Sequence, residues 1–536
     1  MTMLLMLTGM VRVEAQGTSY YEDPQYDLFQ RELYKIKPSR MRAHTTVRHY
    51  KMDDLRAQFD PDSVLYAGVG RLMHTRIRTI NNFFNDDLFA WRDTTRGIYV
   101  ALNPLCDLEI GQDNTGSNKE RTWTNSRGFY FNGNIGKKFW FYADFTENQA
   151  IYPEYYNNLL DSLGVVPGLS GFSHPYKDEK YDFNTADGYI GFAVTDWCDF
   201  LIGKTKTFVG DGYRSLLLGD GAGSVPTFRM NLTFLSVKYT FQLTQLRHAG
   251  NTVSNNGNKT KYSFTHFLDW NMGKRFTAGV FENVTMASWR KTGESRSLDL
   301  EYFNPFCIFR PGEFNAGSPD KMLVGVTGKF ICTDWLTVYG QIMLNEFRIK
   351  EMLHQSRGYW SNKFGLQCGL RMTNLFRVDG LDFLFEYNKI RPYCYTQYDG
   401  MANYTHKKQS MGHPLGANLR EGVAILSYHH GRIMARAQMN ITKYGDDYPN
   451  DSTSYGHDPF KASGTHKGYG YRTLRGLETK LNYADISASF IVNPRSMLNV
   501  TMGWQGRRRR SDLTDETSSH LYVAARWSLK SHYYDY

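Results

Sequence analysis

Five segments of the sequence alternate strictly between apolar and polar side chains. Successive side chains of a β-strand point to opposite faces, so this pattern predicts strands with one apolar and one polar face. Each segment has about ten residues, enough for a tilted strand to cross a bilayer, whereas strands of soluble sandwiches have about five or six. The segments are 336–345, 381–388, 432–441, 498–505 and 521–530.

Short and long connections alternate along the rest of the chain. Tight turns are predicted at 136–138, 195–197, 235–236, 271–275, 333–334, 377–380, 429–431 and 493–496. Long loops are predicted where the two-residue period fails, at 114–126, 147–188, 208–227, 247–260, 286–320, 350–363, 394–418, 446–474 and 507–519. Eight turns and nine loops join eighteen strands, of which the first is predicted at 97–113.

Short connections at one end and long loops at the other are typical of outer-membrane barrels. The barrel must close, because an open sheet edge in lipid would leave backbone groups unpaired. We therefore predict an all-β fold, a transmembrane antiparallel β-barrel of about 18 strands over 97–536. An even strand number places both termini in the periplasm and the long loops outside the cell. The final aromatics, Tyr533, Tyr534 and Tyr536, are predicted in an interfacial girdle.

The region before the barrel is predicted to be different. Residues 3–7 form a short apolar core, and small residues at Val13 and Ala15 mark a cleavage site, so 1–15 is predicted as a signal peptide. A basic stretch before this core is missing, and we expect the signal peptide to be truncated. Within 16–96, Asp23 and Pro24 predict the start of a short amphipathic helix. This segment either plugs the lumen or lies in the periplasm.

Composition removes several classes of protein. Aromatic residues make up 15% of the chain, mean hydropathy is −0.51, and no run of about 18 apolar residues occurs, which excludes a bundle of membrane helices. The net charge of +10 is spread over 536 residues without a nucleic-acid-binding motif, so no nucleic-acid partner is predicted. Neither HExxH nor GxSxG is present, and the cysteines are scattered. We predict no enzymatic activity, no metal and no cofactor.

Four consecutive arginines, Arg507, Arg508, Arg509 and Arg510, are the sharpest candidate site. They fall in the predicted loop 507–519, which the parity of the strands places outside the cell. Guanidinium groups bind carboxylates and phosphates through forked hydrogen bonds, so these residues are candidates for binding anionic sugars. They could instead bridge lipopolysaccharide or pair with nearby acidic residues of the same loop.

A second candidate is the stretch 203–229, in which charged residues alternate with glycines. Glycine allows a tight chain path, and buried charges need partners, so a folded-in loop with internal ion pairs is one interpretation. A sugar site is the other. The charged residues concerned are Lys204, Lys206, Asp211, Arg214, Asp220 and Arg229.

The same stretch carries a resemblance to a known family. The matching residues are Gly203-Lys204, then Gly210-Asp211-Gly212-Tyr213-Arg214-Ser215-Leu216, Pro226, Phe145-Thr146-Glu147-Asn148-Gln149, Tyr302-Phe303-Asn304-Pro305, Glu386-Tyr387-Asn388, Arg391-Pro392-Tyr393 and Gly412-His413-Pro414-Leu415-Gly416-Ala417-Asn418. Together they resemble Wzi-like capsule-assembly outer-membrane proteins, and more closely the RemB-type gliding-motility proteins. The resemblance implies an eighteen-stranded barrel that holds or organises surface polysaccharide or serves adhesion during gliding, without catalytic residues.

Two functions from different classes follow. The first is a non-enzymatic outer-membrane barrel whose partners are surface polysaccharide, outer-membrane lipid and lipopolysaccharide, and a secretion or motility machinery. The alternative is a diffusive porin, whose lumen polar residues would line water or pair across the bore. Those residues are Asp382, Glu386, Arg432, Arg436, Gln438, Asn440, Arg526 and Lys530.

Overall fold

The computed structural model describes residues 25–36, 42–48, 50–70, 72–73, 75–115, 120–169, 171–176, 180–248, 259–289, 294–304, 320–346, 357–398, 400–463, 466, 468–528 and 532–536. The predicted signal peptide 1–15, the predicted helix start at Asp23 and Pro24, and Lys530 lie outside the described residues.

Eighteen long strands form one closed antiparallel barrel, as the alternating segments predict. In chain order they are β1 (Ile98–Asp113), β2 (Glu120–Ile135), β3 (Phe139–Ile151), β4 (Lys180–Thr195), β5 (Cys198–Thr205), β6 (Val225–Phe234), β7 (Val237–His248), β8 (Lys259–Met272), β9 (Phe276–Ala287), β10 (Lys321–Thr333), β11 (Leu336–Glu346), β12 (Lys363–Met372), β13 (Leu381–Ile390), β14 (Leu419–His430), β15 (Ile433–Asp446), β16 (Leu477–Asn493), β17 (Leu498–Arg510) and β18 (Asp515–Trp527).

Each strand pairs with the next along the chain, and β18 closes the barrel on β1. The closing register runs from His520 opposite Asp113 to Trp527 opposite Cys106. Beyond this point β1 continues, and a short strand from the N-terminal region, Phe89–Asp93, pairs with its first residues, Ile98 to Leu102. The wall of the barrel is therefore completed by residues that precede its first long strand.

The connections follow the predicted asymmetry. One end of the barrel has short turns, at the eight places predicted, and the other end has most of the long loops. Two of the nine predicted long loops are short, because β1 and β2 are joined by 114–119 and β17 and β18 by 511–514. We call the two ends the short-turn end and the long-loop end.

Strand β1 shows how the sequence builds the wall. Leu102, Leu108 and Ile110 point outward and are 39%, 48% and 71% exposed. Asp107 and Glu109 point inward and are buried. An apolar exterior and a polar interior are the reverse of a soluble protein and are the pattern of a barrel in lipid.

Short helices and strands accompany the barrel. The helices are α1 (Gln25–Leu33), α2 (Met52–Arg56), α3 (Pro61–Leu65), α4 (Arg78–Asn85) and α5 (Glu154–Leu163), with 3-10 turns at Leu300–Phe303 and Leu375–Arg377. Three further groups of short strands are present. Val47–Arg48 pairs with Phe208–Val209, and Thr405–His406 forms a hairpin with Gln409–Ser410. His174–Tyr176 pairs with the start of β4. No described helix is long and apolar enough to cross a membrane.

The N-terminal segment closes the short-turn end of the barrel from within. The predicted helix is present as α1, with Phe29 and Leu33 buried. Arg31 of α1 forms a 2.9 Å ion pair with Asp382 of β13, and Asp62 of α3 forms a 2.7 Å ion pair with Arg495 in a short turn. These contacts place the described part of the N-terminal segment against the inner side of the wall and a short turn at that end.

Candidate functional site

Residues 206–224, the inner loop, fold from the long-loop end into the lumen. Arg214 at its centre is 2% exposed, and its Nη2 lies 3.2 Å from Glu421 Oε1 of β14 and 2.8 Å from Asp535 Oδ2. His413 Nε2 lies 2.7 Å from the second oxygen of Glu421. Since buried charges are stable only when paired, this network holds the loop against the barrel wall.

A second carboxylate, Glu386 of β13, holds the backbone of the inner loop. Its oxygens accept hydrogen bonds from the amides of Tyr213 and Arg214 at 2.9 and 3.1 Å. Tyr339 and Asn388 donate to the same carboxylate at 3.0 and 2.9 Å. The loop is thus hydrogen-bonded through its main chain to a polar group that the wall itself orients.

The other charged residues predicted in 203–229 are used inside the protein. Asp211 pairs with Lys329 at 2.7 Å, Lys204 pairs with Asp187 at 3.0 Å, and Lys206 is 4% exposed. Asp220 accepts from the hydroxyl of Tyr533 at 2.8 Å, and Arg229 donates to Gln242 at 3.0 Å. Of the two interpretations, the folded-in loop with internal pairs is the one these contacts support, and the residues position the loop.

The prediction that Arg507 to Arg510 lie in a long loop is wrong. They form the end of β17, each opposite a residue of β18, and only 511–514 turn between the strands. The four charges break the alternation of apolar and polar residues, and this break predicts a loop. In the structure the strand continues beyond the apolar outer band, so both of its faces carry charged residues there. Strand geometry divides the four into two pairs, one on each face.

The inward pair is internally satisfied. Arg507 Nε donates to the carbonyl of Tyr536 at 2.8 Å, and Arg509 lies 3.1 Å from Asp446 of β15. The outward pair, Arg508 and Arg510, is exposed and contacts Asp515, Arg508 at 2.8 Å and Arg510 at 3.9 Å. Pairing with acidic residues of the predicted loop, one of the alternatives, is present through Asp515 for the outward pair and through Glu516 for the inward pair, at 3.8 Å from Arg507 and 3.6 Å from Arg509.

The prediction that the last aromatics lie in an interfacial girdle is also wrong. Residues 532–536, the tail, lie inside the barrel, where the Tyr213 hydroxyl donates to Asp535 at 2.8 Å. His532 lies 2.5 Å from the hydroxyl of Tyr156 on α5. Aromatic residues suit either a lipid interface or an enclosed polar cavity, since each ring has an apolar body and a polar tip.

Among the described residues, the lumen residues predicted for a porin pair with neighbouring strands or contact the inserted segments. Arg526 pairs with Asp107 and Glu109, while Gln438 and Asn440 donate to Asp535. Cavities of about 270 and 240 Å³ remain, and Arg31 of α1 and Arg436 line both of them. The inserted segments therefore occupy part of the lumen between these cavities and the wall.

The long-loop end carries a surface that sequence reasoning missed. We call it the aromatic surface, and it consists of Tyr359, Trp360, His466, Tyr469 and Tyr471, which pack around the buried ring of Tyr393. Tyr393 and His466 have ring centroids 4.4 Å apart, and Tyr359 and Tyr469 have centroids 5.6 Å apart. Tyr469 is 51% exposed, and Tyr359, Trp360 and Tyr471 are partly exposed.

Backbone pairing and one arginine fix this surface. The amides of Gly470 and Tyr471 donate to the carbonyls of Arg357 and Gly358, both at 2.9 Å. Buried Arg391 donates through Nη2 to the carbonyls of Tyr359 and Tyr471 at 3.1 and 2.8 Å. Two long loops are thereby held together by main-chain contacts, so the rings on them are preorganised for binding.

Cations border the aromatic surface. The Arg475 guanidinium lies 4.6 Å from the Tyr471 ring centroid, and the Lys363 ammonium lies 5.4 Å from that of Trp360. Burial, with repulsion from Lys363 and Arg475, lowers the pKa of His466 below its ordinary value. His466 is therefore neutral at neutral pH. Lys363 is buried and pairs with Glu346 at 2.9 Å, so the cation that the surface offers beside its ring faces is the exposed guanidinium of Arg475.

The sequence contains a signal for this surface. The runs Arg357-Gly358-Tyr359-Trp360 and Gly468-Tyr469-Gly470-Tyr471-Arg472 each combine glycine, aromatic residues and arginine. They are more than one hundred residues apart, so only the closed barrel brings them together. Reading each predicted loop by itself gives no reason to join them.

Comparison with known proteins gives likenesses of structure. No family model and no curated protein matches the chain. The structure is similar to that of Wzi from Escherichia coli, described as an outer-membrane protein involved in group 1 capsule assembly and a carbohydrate-binding β-barrel, with 13% identity and a TM-score of 0.56. That match covers 96% of this chain and all of Wzi. The fold is thus that of a Wzi-like outer-membrane β-barrel.

Two further solved structures are more distant. OprD of Pseudomonas aeruginosa is 10% identical, with a TM-score of 0.41, and covers 79% of this chain and 94% of its own. OccK9 of Pseudomonas aeruginosa is 7% identical, with a TM-score of 0.44, and covers 80% of this chain and 98% of its own.

Proposed function

We propose that this protein is a non-enzymatic outer-membrane barrel that binds surface polysaccharide at its long-loop end. The observation that carries the proposal is the aromatic surface, because partly exposed rings held rigidly beside the exposed guanidinium of Arg475 are suited to the apolar faces and acidic groups of sugars. A polymer offers many repeats of one sugar motif, so several weak contacts along it add in avidity. No catalytic step is part of this proposal.

The location in the outer membrane rests on the wall of the barrel. Its outward side chains are apolar and exposed over a continuous band that includes Ile110, Val280, Ile342 and Val500, while buried polar residues fill the interior. This arrangement is stable only where lipid surrounds the barrel. In the proposed orientation the long loops face the outside of the cell and the short turns face the periplasm.

The second candidate function is a diffusive porin, and the segments inserted into the lumen argue against it. The N-terminal segment, the inner loop and the tail all enter the bore, where Arg31 pairs with Asp382, buried Arg214 pairs with Glu421, and Tyr213 donates to Asp535. Separating the partners of a buried ion pair such as Arg214–Glu421 strongly destabilises a protein, so the inner loop does not leave the bore freely. The contacts support an anchor whose interior is structural.

The likeness to Wzi supports the proposal in a limited way. Wzi is described as carbohydrate-binding, and its fold extends over nearly the whole of this chain. A role in gliding or adhesion, to which the RemB resemblance points, would use the same outward surface and the same contacts with polymer. We therefore place both roles under one binding activity.

Saturable binding of the folded barrel to polysaccharide purified from the surface of the source cell tests this function. The double variant Trp360→Ala/Tyr469→Ala removes two rings, and we expect binding to weaken by about tenfold or more, since hot-spot residues of this kind each contribute above about 1 kcal/mol. Trp335→Ala is the matched control, because Trp335 is exposed in a turn at the opposite end. Equal loss in both variants, or no binding by the unchanged protein, would contradict the proposal.

A further inference from the structure

The closing seam of the barrel is built from two pieces of chain. Strand β18 ends at Trp527, opposite Cys106 of β1. Phe89–Asp93 then pairs with β1 further towards the short-turn end, from Phe89 opposite Leu102 to Asp93 opposite Ile98. Both pieces run antiparallel to β1 on the same side, so Phe89–Asp93 continues the line of β18 after a gap. The seam is therefore interrupted at that gap.

Helix α4 covers this part of the seam. The side-chain amide of Asn493 donates to the carbonyls of Asn82, Phe83 and Asp86 at 3.1, 3.0 and 2.8 Å, which ties the end of α4 to the end of β16. The ring of Phe83 packs edge-on against Trp527, with centroids 5.2 Å apart. These contacts satisfy the backbone groups that a helix end leaves open.

A groove of about 430 Å³ remains between α4 and the wall, which we call the seam groove. Its floor includes Phe89, Trp91 and Leu102, which are 57%, 59% and 39% exposed. Paired residues of adjacent strands share a face, so Phe89 and Leu102 point to the same outer side of the barrel. The groove is thus continuous with the apolar exterior of β1.

One side of the seam groove carries a cation. Arg78 of α4 lines the groove and is exposed. The groove floor is apolar, with the exposed rings of Phe89 and Trp91. An apolar groove with a guanidinium group on its side matches a molecule with a hydrocarbon chain and an anionic head group.

We propose that the seam groove binds one phospholipid of the surrounding membrane, with an acyl chain along Phe89, Trp91 and Leu102 and its phosphate on Arg78. The inference rests on the membrane location in the proposed function and is independent of polysaccharide binding. The acyl chain is already out of water in the membrane, so its retention depends on packing against the rings of the groove and on the charge-assisted contact of the phosphate with Arg78. The bound lipid then lies on the outer side of the stretch where Phe89–Asp93 pairs with β1, next to the gap before β18.

Titration of the folded barrel in detergent with a synthetic phosphatidylglycerol, followed by native mass spectrometry, tests the proposal. We expect a one-to-one adduct that saturates. Leu102→Trp fills the groove, and Leu108→Trp makes the same change on the same outward face of β1 without lining the groove. We expect the first variant to lose the adduct and the second to keep it.

Arg78→Ser separates the phosphate contact from packing, because Arg78 is exposed on the helix and its replacement leaves the floor of the groove intact. We expect its apparent dissociation constant to rise by about five- to tenfold, since a charge-assisted hydrogen bond is lost. Heat-resistant folding on a denaturing gel confirms that each variant is a barrel. Non-saturating adducts, or equal retention by Leu102→Trp and Leu108→Trp, would overturn the lipid site and leave the polysaccharide proposal untouched.

Discussion

The ion-pair network around Arg214 gives the most demanding prediction. Arg214→Met keeps much of the side-chain volume but leaves the carboxylates of Glu421 and Asp535 buried without their cation. Glu421 and Asp535 are at most 2% exposed, so water reaches them poorly. Breaking a buried pair in this way costs about 3–5 kcal/mol, and we expect the free energy of unfolding to fall by that amount.

Reversible denaturant unfolding in lipid vesicles, followed by tryptophan fluorescence, measures this loss. Lys443→Met is the control, because the pair of Lys443 with Glu478 spans 3.8 Å on the exposed surface and is expected to contribute less than about 1 kcal/mol. The double variant Arg214→Met/Glu421→Gln no longer has the unpaired carboxylate of Glu421. Its loss of unfolding free energy should therefore be smaller, by about 0.5–3 kcal/mol, than the sum of the losses of the two single variants. If Arg214→Met lowers the free energy of unfolding by less than about 1 kcal/mol, the reasoning is refuted.

Three further outcomes are expected. Gly212→Ala should expose the inner loop to protease, because the added Cβ would lie 2.0 Å from the carboxylate of Glu386, which four hydrogen bonds hold in place. An unchanged digestion pattern would show that Glu386 does not anchor the loop. The free energy of unfolding should lose a contribution as pH falls below about 6.5, the ordinary pKa of an imidazole, because the lowered pKa of His466 means that folding favours its neutral form. His466→Gln should remove this dependence. In planar bilayers the unchanged protein should show no steady conductance, and stable porin-like channels would favour the alternative function.

Most of the barrel was predictable because each strand carries its own two-residue period. Strand β1 starts within one residue of its predicted start and ends where predicted, and the eight short turns lie where predicted. The prediction failed where a strand extends beyond the lipid, because its outward side chains are no longer apolar there and the two-residue alternation of apolar and polar residues is lost. Arg507 to Arg510 lie on a strand beyond the apolar band, and their charges were therefore taken for a loop.

The interior and the candidate site depend on contacts between distant residues. Nothing local in the sequence places Asp535 beside Arg214 or Tyr34 beside Asp211, yet both contacts are present in the lumen. The aromatic surface likewise needs two loops to meet. Local patterning predicts which segments are strands, whereas the residues that fill or cap a barrel are decided by its closure.

The central claim is that the aromatic surface binds surface polysaccharide. Hydrogen–deuterium exchange of the folded barrel, with and without saturating purified polymer, tests binding and location together. We predict slower exchange at 357–360 and 468–471, with no change in the short turns. No change at saturating polymer, or protection confined to other loops, would contradict the claim.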